Sequence, residues 1–455
     1  MSGPLRLVPG EGDTLPVIPR PRPRPRTRAR PSWAEDPIDE LAERLVEQVA
    51  VAVHPYEVAA LLESDGLTGD QITERYARPD LFTLAEDLYA RVPRHYPEPP
   101  PAPDPWRPDH LRCALRGLVF ALPGLAYVLG AGLWHGTADV SGLIASALAA
   151  WAWNQALSHR AYLRLAAGGR AAAGRTLRIG GPLGALGAAA TGLLVSGPGT
   201  GAAFAAGQSC YLAAASVLLV LGRERALLLT LLPVAAGAGA TFLWRLPAAL
   251  ALGLLLATVL LAVAAAGHAT RDALRSPPTA AGATPKLLRS LPYGLFGLAA
   301  GVLAALAGAD DPRSVVVLTL SMGFAEWLLY RFRSLAVAGL RESTTSRGFT
   351  LRAGRALALC LGAYLALLAL GALVAGTGPA PLLGLGAVLW TALLLQAFSV
   401  AWMPAAVCLA AAAAEAVAAS AGLPPGPTQL IFRIAAAAVL VAGACRLLGR
   451  PTAHR

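Results

Sequence analysis

Charge is what this sequence has least of. Asp, Glu, Lys and Arg make up 14% of its 455 residues, against about 25% in an ordinary soluble protein. Together with 55% apolar residues and a mean hydropathy of +0.54, that scarcity excludes a soluble globular enzyme. Lysine is nearly absent. Lys286 stands alone among 38 basic residues, a bias that suggests a GC-rich genome rather than a function. Cysteine is sparse too. Cys113, Cys210, Cys360, Cys408 and Cys445 fall in or at the edge of apolar runs, without metal-ligand spacing. They read as small packing residues, not as disulfide or metal partners. No P-loop or other nucleotide motif is present. No enzyme activity, cofactor or metal is therefore expected. No cleavable signal peptide is expected either, because the first apolar run long enough to span a membrane begins near Leu111.

The charges that exist are unevenly placed. Residues 1–109 hold 19 of the 27 acidic and 13 of the 38 basic residues, net −6. Residues 110–455 hold the remaining 8 acidic and 25 basic residues, net +17. The pI near 9.9 is thus no sign of a nucleic-acid partner. Most of the positive excess lies between apolar runs, where it sets membrane topology.

Residues 1–35 are Pro/Arg-rich and include the alternating run Pro19–Arg26. They bury too little apolar surface to fold and are expected to be a disordered tail. Six arginines from Arg20 to Arg30 suit either anionic headgroups or plain solvation. Residues 36–93 read as a small helical cytoplasmic module. Ile38, Leu41, Leu45, Val49 and Ala52 recur at helical spacing, Thr68 and Gln71 fit a capping box, and Asp80 caps Leu81–Val92. No catalytic spacing occurs there, so the module reads as a docking site for a cytoplasmic protein partner. Residues 94–110, rich in proline, form a semi-rigid linker.

Twelve runs of spanning length follow, near 111–132, 140–159, 179–196, 201–222, 226–244, 246–267, 287–308, 314–331, 356–376, 382–402, 404–421 and 428–448. Backbone groups must pair internally in lipid, so the runs are expected to be helices. The fold class is all-α, a polytopic membrane protein. With the N-terminus inside, 22 of the 25 basic residues fall on the inner side, and Arg245, Arg313 and Arg433 on the outer. That split places both termini in the cytoplasm of a multi-pass protein, here a bacterial plasma (inner) membrane.

The halves repeat. Arg112, Arg175 and Arg178 map onto Arg289, Arg352 and Arg355 at an offset of 177. Gln155, Arg160, Gly168 and Arg170 map onto Glu326, Arg331, Gly339 and Arg341 at an offset of 171. Six spans per half make this a parallel repeat. The expected lobes are 111–267 and 287–448, joined by a cytoplasmic loop 268–286 and followed by a tail 449–455.

The inner loops Ser158–Arg178 and Tyr330–Arg355 interleave Arg with Leu, Ala and aromatic residues, a pattern that suits interfacial amphipathic helices. On these loops and the six-plus-six plan, residues 110–455 resemble the superfamily of multidrug, oligosaccharidyl-lipid and polysaccharide flippases, including lipid II flippases, in an actinobacterial-type form. The major facilitator superfamily shares the plan, but the acidic residue of its short loop is missing here. The resemblance implies export of an amphipathic substrate, a lipid-linked saccharide or envelope precursor, by alternating access. Two alternatives stand beside it: a drug efflux carrier of major facilitator type, and a non-transporting scaffold for envelope assembly that recruits a partner through residues 36–93.

Ionisable groups inside spans are costly and mark function by default. Glu326 lies in span 8, either neutral or paired with Arg116 or Arg289. Its repeat mate Gln155 sits beside Asn154, with His159 a turn later. These residues read either as the lining of a central cavity or as a lock between helices. Glu415 and Arg433 flank the turn Leu423–Pro427, as a structural salt bridge or as a proton- or substrate-linked pair. Gln208 and Gln396 suit interhelical hydrogen bonds. Trp134, Trp151, Trp153, Trp244, Trp390 and Trp402 mark membrane interfaces. Membrane lipids are the one partner that composition implies directly.

Overall fold

The computed structural model describes residues 36–96, 104, 106–134, 136–277 and 286–454. The expected tail 1–35, residues 97–103 and 105 of the proline-rich linker, and residues 278–285 of the loop 268–286 lie outside that set. Among the described residues every regular element is a helix. Two compact units divide the chain, Met1–Pro103 and Asp104–Arg455.

Among its described residues the first unit has five short helices: α1 (Pro37–Arg44), α2 (Val46–Val49), α3 (Pro55–Ser64), α4 (Gly69–Tyr76) and α5 (Leu81–Arg91). Their starts are written in the sequence. Pro37 and Pro55 open α1 and α3, where a missing N–H costs nothing. The Thr68–Gln71 box forms reciprocally at the head of α4, and Asp80 accepts from the Thr83 amide at the head of α5. Ala77 ends α4 in the left-handed region, at φ 51°. The periodic residues Ile38, Leu41, Leu45, Val49 and Ala52 join Val58, Leu62, Ile72, Leu84 and Leu88 in one buried core. Each large side chain there contributes about 1.5–3 kcal/mol by leaving water. Leu88→Ala would cost about 2–5 kcal/mol.

The second unit is built from α6 (His110–Ala121), α7 (Leu125–Leu129), α8 (Gly136–Ser196), α9 (Thr200–Val220), α10 (Glu224–Thr230), α11 (Leu232–Ala240), α12 (Ala248–Arg275), α13 (Leu291–Asp310), α14 (Pro312–Glu342), α15 (Ser346–Ala375), α16 (Pro379–Ala397), α17 (Trp402–Ser420) and α18 (Pro425–Leu448). Among the described residues, ten helices are long and apolar enough to cross a membrane. This makes the chain a multi-pass helical membrane protein.

Ten helices rather than twelve runs has two local causes. The runs at 140–159 and 179–196 belong to the one 61-residue element α8, which leaves helical geometry at Gly168 and Gly169. Gly169 has φ 69° and ψ −171°, a conformation open essentially to glycine alone. The two arms fold back on each other there. A Cβ on Gly142 would meet Ser196, one on Gly184 would meet Trp153, and one on Gly180 would meet Leu157. The run at 226–244 is instead cut in two. α10 ends at Thr230 and α11 restarts with Pro233 in its first turn, so neither piece reaches spanning length.

The segments Ser158–Arg178 and Tyr330–Arg355 also differ from expectation. No separate amphipathic helices form. The α8 arms continue to the glycine turn, and α14 and α15 leave only Ser343–Thr345 between them. Extending a helix satisfies its own backbone groups, whereas a loop at the interface must find partners elsewhere.

In the second unit buried side chains gather in two cores. One draws on residues from Val119 to Ala273, the other on residues from Phe296 to Leu448.

Candidate functional site

Between the helices that carry these two cores runs a seam. α6 packs against α14, and α13 packs against the first arm of α8. Backbone meets backbone there. A Cβ built on Gly323 would stand 2.8 Å from the Gly117 Cα and 3.0 Å from the Cys113 carbonyl oxygen. One built on Gly294 would stand 3.1 Å from the Ala152 carbonyl oxygen. Gly294 lies 177 residues after Gly117, and Ala152 lies 171 residues before Gly323. The two close approaches therefore occupy equivalent places under the two sequence offsets. Gly297 meets Gln155 and the Trp151 carbonyl, and Gly301 meets Leu148, along the same face of α13. Small residues at i, i+3 and i+7 let two helices approach this closely.

Polar groups punctuate the seam. Arg116 of α6 donates from Nη1 to Glu326 Oε1 of α14, and each side chain is 17% exposed. Of the two arginines offered by the sequence, Arg116 is the partner of Glu326. Trp327 Nε1, one residue on, donates to His110 Nδ1 at 3.0 Å. On the other helix pair, His159 stacks on Tyr293 with ring centroids 3.7 Å apart and planes 14° apart. Its Nδ1 lies 3.1 Å from Ser290 Oγ. Arg333, further along α14, sits over the Trp106 ring at 4.0 Å and over Phe398 at 4.8 Å, and donates to the Ala397 carbonyl. Satisfaction is incomplete. Arg116 Nε, Asn154 Oδ1 and Arg333 Nε are buried without a hydrogen-bond partner.

The structure brings Arg116 and Glu326 together at this seam, with Gln155 and His159 on the neighbouring helix pair and Asn154 on the same turn of α8. It does not bring Glu415 or Arg433 there. Those two pair inside the second core. Arg433 Nε and Nη2 donate to Glu415 Oε1 and Oε2 at 3.0 and 2.9 Å, and Nη1 donates to the Pro381 carbonyl at 3.0 Å. Both side chains are 1% exposed. A two-pronged contact of that kind holds α17 and α18 in register, and Pro381 ties α16 to them.

Elsewhere the polar expectations divide. Gln208 donates to the Leu143 carbonyl and Ser146 Oγ and accepts from Tyr127, an interhelical network. Gln396 Nε2 has no partner. Trp390 packs against protein rather than facing outward: it is 1% exposed and donates to the Ala325 carbonyl at 3.1 Å. Cys445 is exposed rather than packed. Among the described residues no group of His, Cys, Asp and Glu is placed to hold a metal ion.

Sequence reading missed the seam's glycines, its Tyr293 and Ser290, and the Trp106 contact. The glycine spacing 294–297–301 was the available signal. It is muted by the 47 glycines in the chain.

What the fold and seam define is a polytopic helical membrane protein whose two cores meet along small residues and partly satisfied charges. The chain matches no protein-family model, no curated protein and no solved structure.

Proposed function

We propose that the chain is a flippase-like membrane carrier that exports an amphipathic, lipid-linked saccharide or envelope precursor by alternating access. In this reading the chain crosses a bacterial inner membrane twelve times, with both termini cytoplasmic. The two arms of α8 supply two crossings, and α10 with α11 supplies a broken one. Two six-helix halves are related by a pseudo-twofold axis along the membrane normal. The equivalent contacts Gly117–Gly323 and Gly294–Ala152 support that relation.

The observation that carries the proposal is the Arg116–Glu326 pair. It ties one half to the other across a seam of glycines, and it is neither fully buried nor fully satisfied. The small residues let the halves close backbone to backbone. The ion pair across them is the element that a proton or a competing anion can break, so the seam has a closed and a released state. With the termini inside, the pair lies on the cytoplasmic half of the bilayer and acts as an inner gate. An ion gradient supplies the energy, and protonation of Glu326 or arrival of an anionic substrate group at Arg116 releases the gate.

The test is reconstitution in liposomes with a fluorescent polyprenyl-phosphate saccharide, read by a membrane-impermeant quencher. Spin labels at Ser141 and Arg313 report the distance between halves. Wild type should move the lipid and populate two distances. Glu326→Gln should slow movement about tenfold, the equivalent of 1.4 kcal/mol, with unchanged thermal unfolding. No movement by wild type together with one fixed distance would overturn the carrier reading in favour of a static scaffold.

A further inference from the structure

The first unit carries a surface that its own core does not explain. Tyr56 and Phe82 are 63% and 55% exposed, yet their rings meet edge to face at 5.7 Å. His54 extends the row, with its ring 4.6 Å from that of Tyr56. The pair bridges α3 and α5. Glu63 lies seven residues beyond Tyr56 and Glu86 four beyond Phe82, so each shares a helix face with its aromatic residue. Both glutamates are exposed. Residues 36–96 as a whole hold 13 acidic and 5 basic residues, net −8.

The segment that precedes this unit has the opposite character. Residues 1–35 hold 7 arginines and 3 acidic residues, net +4, and residues 19–26 read Pro-Arg-Pro-Arg-Pro-Arg-Pro-Arg. Proline rings stack on exposed aromatic faces in polyproline recognition, and arginines pair with the carboxylates at the rim. Reach is ample. The nine residues 27–35 span up to about 30 Å when extended. A compact body of about 60 residues has a radius of gyration of about 10 Å, so most of its surface is within range.

We infer that the Tyr56–Phe82 face, rimmed by Glu63 and Glu86, is a docking site for the chain's own Pro19–Arg26 segment. The inference does not depend on the carrier reading. When docked, the tail covers the exposed aromatics. When released, it frees that face for another basic, proline-containing ligand.

The experiment uses the full chain, one copy per nanodisc, with a photoreactive benzoylphenylalanine in place of Phe82. Discs are made of phosphatidylcholine alone and with added phosphatidylglycerol. Irradiation followed by peptide mass spectrometry should recover adducts with residues 1–35 in both. Replacing Arg20, Arg22, Arg24 and Arg26 by Ala should lower the yield about tenfold, as expected for several weak exposed pairs lost together. Those substitutions leave every residue of the first unit's described core unchanged, so a loss of adduct is not read as loss of that core. Adducts only to lipid or to other parts of the chain, loss of the tail adduct when anionic lipid is present, or adducts only in discs holding two copies would overturn the inference.

Discussion

Two of the arginine–carboxylate pairs among the helices of the second unit, Arg433–Glu415 and Arg116–Glu326, are built in opposite ways. Arg433 and Glu415 are sealed inside one core, with both carboxylate oxygens engaged and a backbone carbonyl taking a further donor. Arg116 and Glu326 bridge two cores, keep 17% of each side chain exposed, and leave Arg116 Nε without a partner. Removing charges from water is costly, and only full hydrogen bonding offsets the cost. A pair that meets that condition is a lock. A pair that meets it in part sits closer to balance, so a proton or a competing anion can tip it. The same residue types therefore do different work according to what surrounds them.

The contrast can be broken most severely at the lock. Glu415→Ala leaves the Arg433 guanidinium buried and unpaired, and should destabilise the chain by about 3–5 kcal/mol. Thermal unfolding in detergent measures this, and an effect below about 1 kcal/mol would show that Arg433 escapes to solvent. The double substitution Glu415→Leu with Arg433→Met should recover much of the loss, because replacing a whole buried pair by apolar residues is often neutral.

Next comes the seam itself. Gly323→Val forces a branched side chain onto the Gly117 backbone. It should hold α6 and α14 apart and cost about 1–3 kcal/mol, the usual range for overpacking. The distance between labels at Ser141 and Arg313 should then collapse to a single population. Glu326→Gln sits below it in size. It keeps the shape and removes the charge, so stability should change by no more than about 1 kcal/mol, while the population of the closed seam falls. Equal losses of stability at Glu326 and Glu415 would erase the distinction between latch and lock.

The smallest effect belongs to the first unit and to pH. Asp36 accepts from the Ile38 amide and then from Arg91, which holds its carboxyl below the ordinary aspartate range. Asp80 is held below it by the Thr83 amide and hydroxyl. A carboxylate held low in the folded state stabilises above its unfolded pKa and loses that contribution as pH falls through the folded one. Hydrogen-exchange protection of Leu84 and Leu88, corrected for intrinsic rates, should therefore weaken as pH falls below about 4. Asp36→Asn with Asp80→Asn should flatten that slope, since Asn still caps.

The comparison also shows which parts of the molecule were legible beforehand. In the first unit the Thr68–Gln71 box and the Asp80 cap were, because caps act over a few residues, whereas α3 and the break between α1 and α2 at Leu45 were not. The apolar helices were, because lipid admits few alternatives to a helix. The pairing of Glu326 was narrowed to two arginines, and only the crossing of α6 over α14 chose Arg116. Trp390 looked like an interface marker because its neighbours are apolar on all sides, and its indole partner, the Ala325 carbonyl, is 65 residues away. The break at Thr230–Pro233 was hidden because hydropathy does not register a missing N–H.

The sequence by itself determined that this chain is helical, that it crosses a membrane many times and that an acidic helical unit precedes the crossings. These follow from composition and from interactions between near neighbours. Tertiary structure alone decided that Gly117 and Gly323 touch backbone to backbone, that Arg116 takes Glu326 across the seam and that Arg433 takes Glu415 within one core. Those facts depend on how helices distant in sequence approach each other. Helix packing is set by the sum of many weak contacts, none of which a local stretch of residues contains.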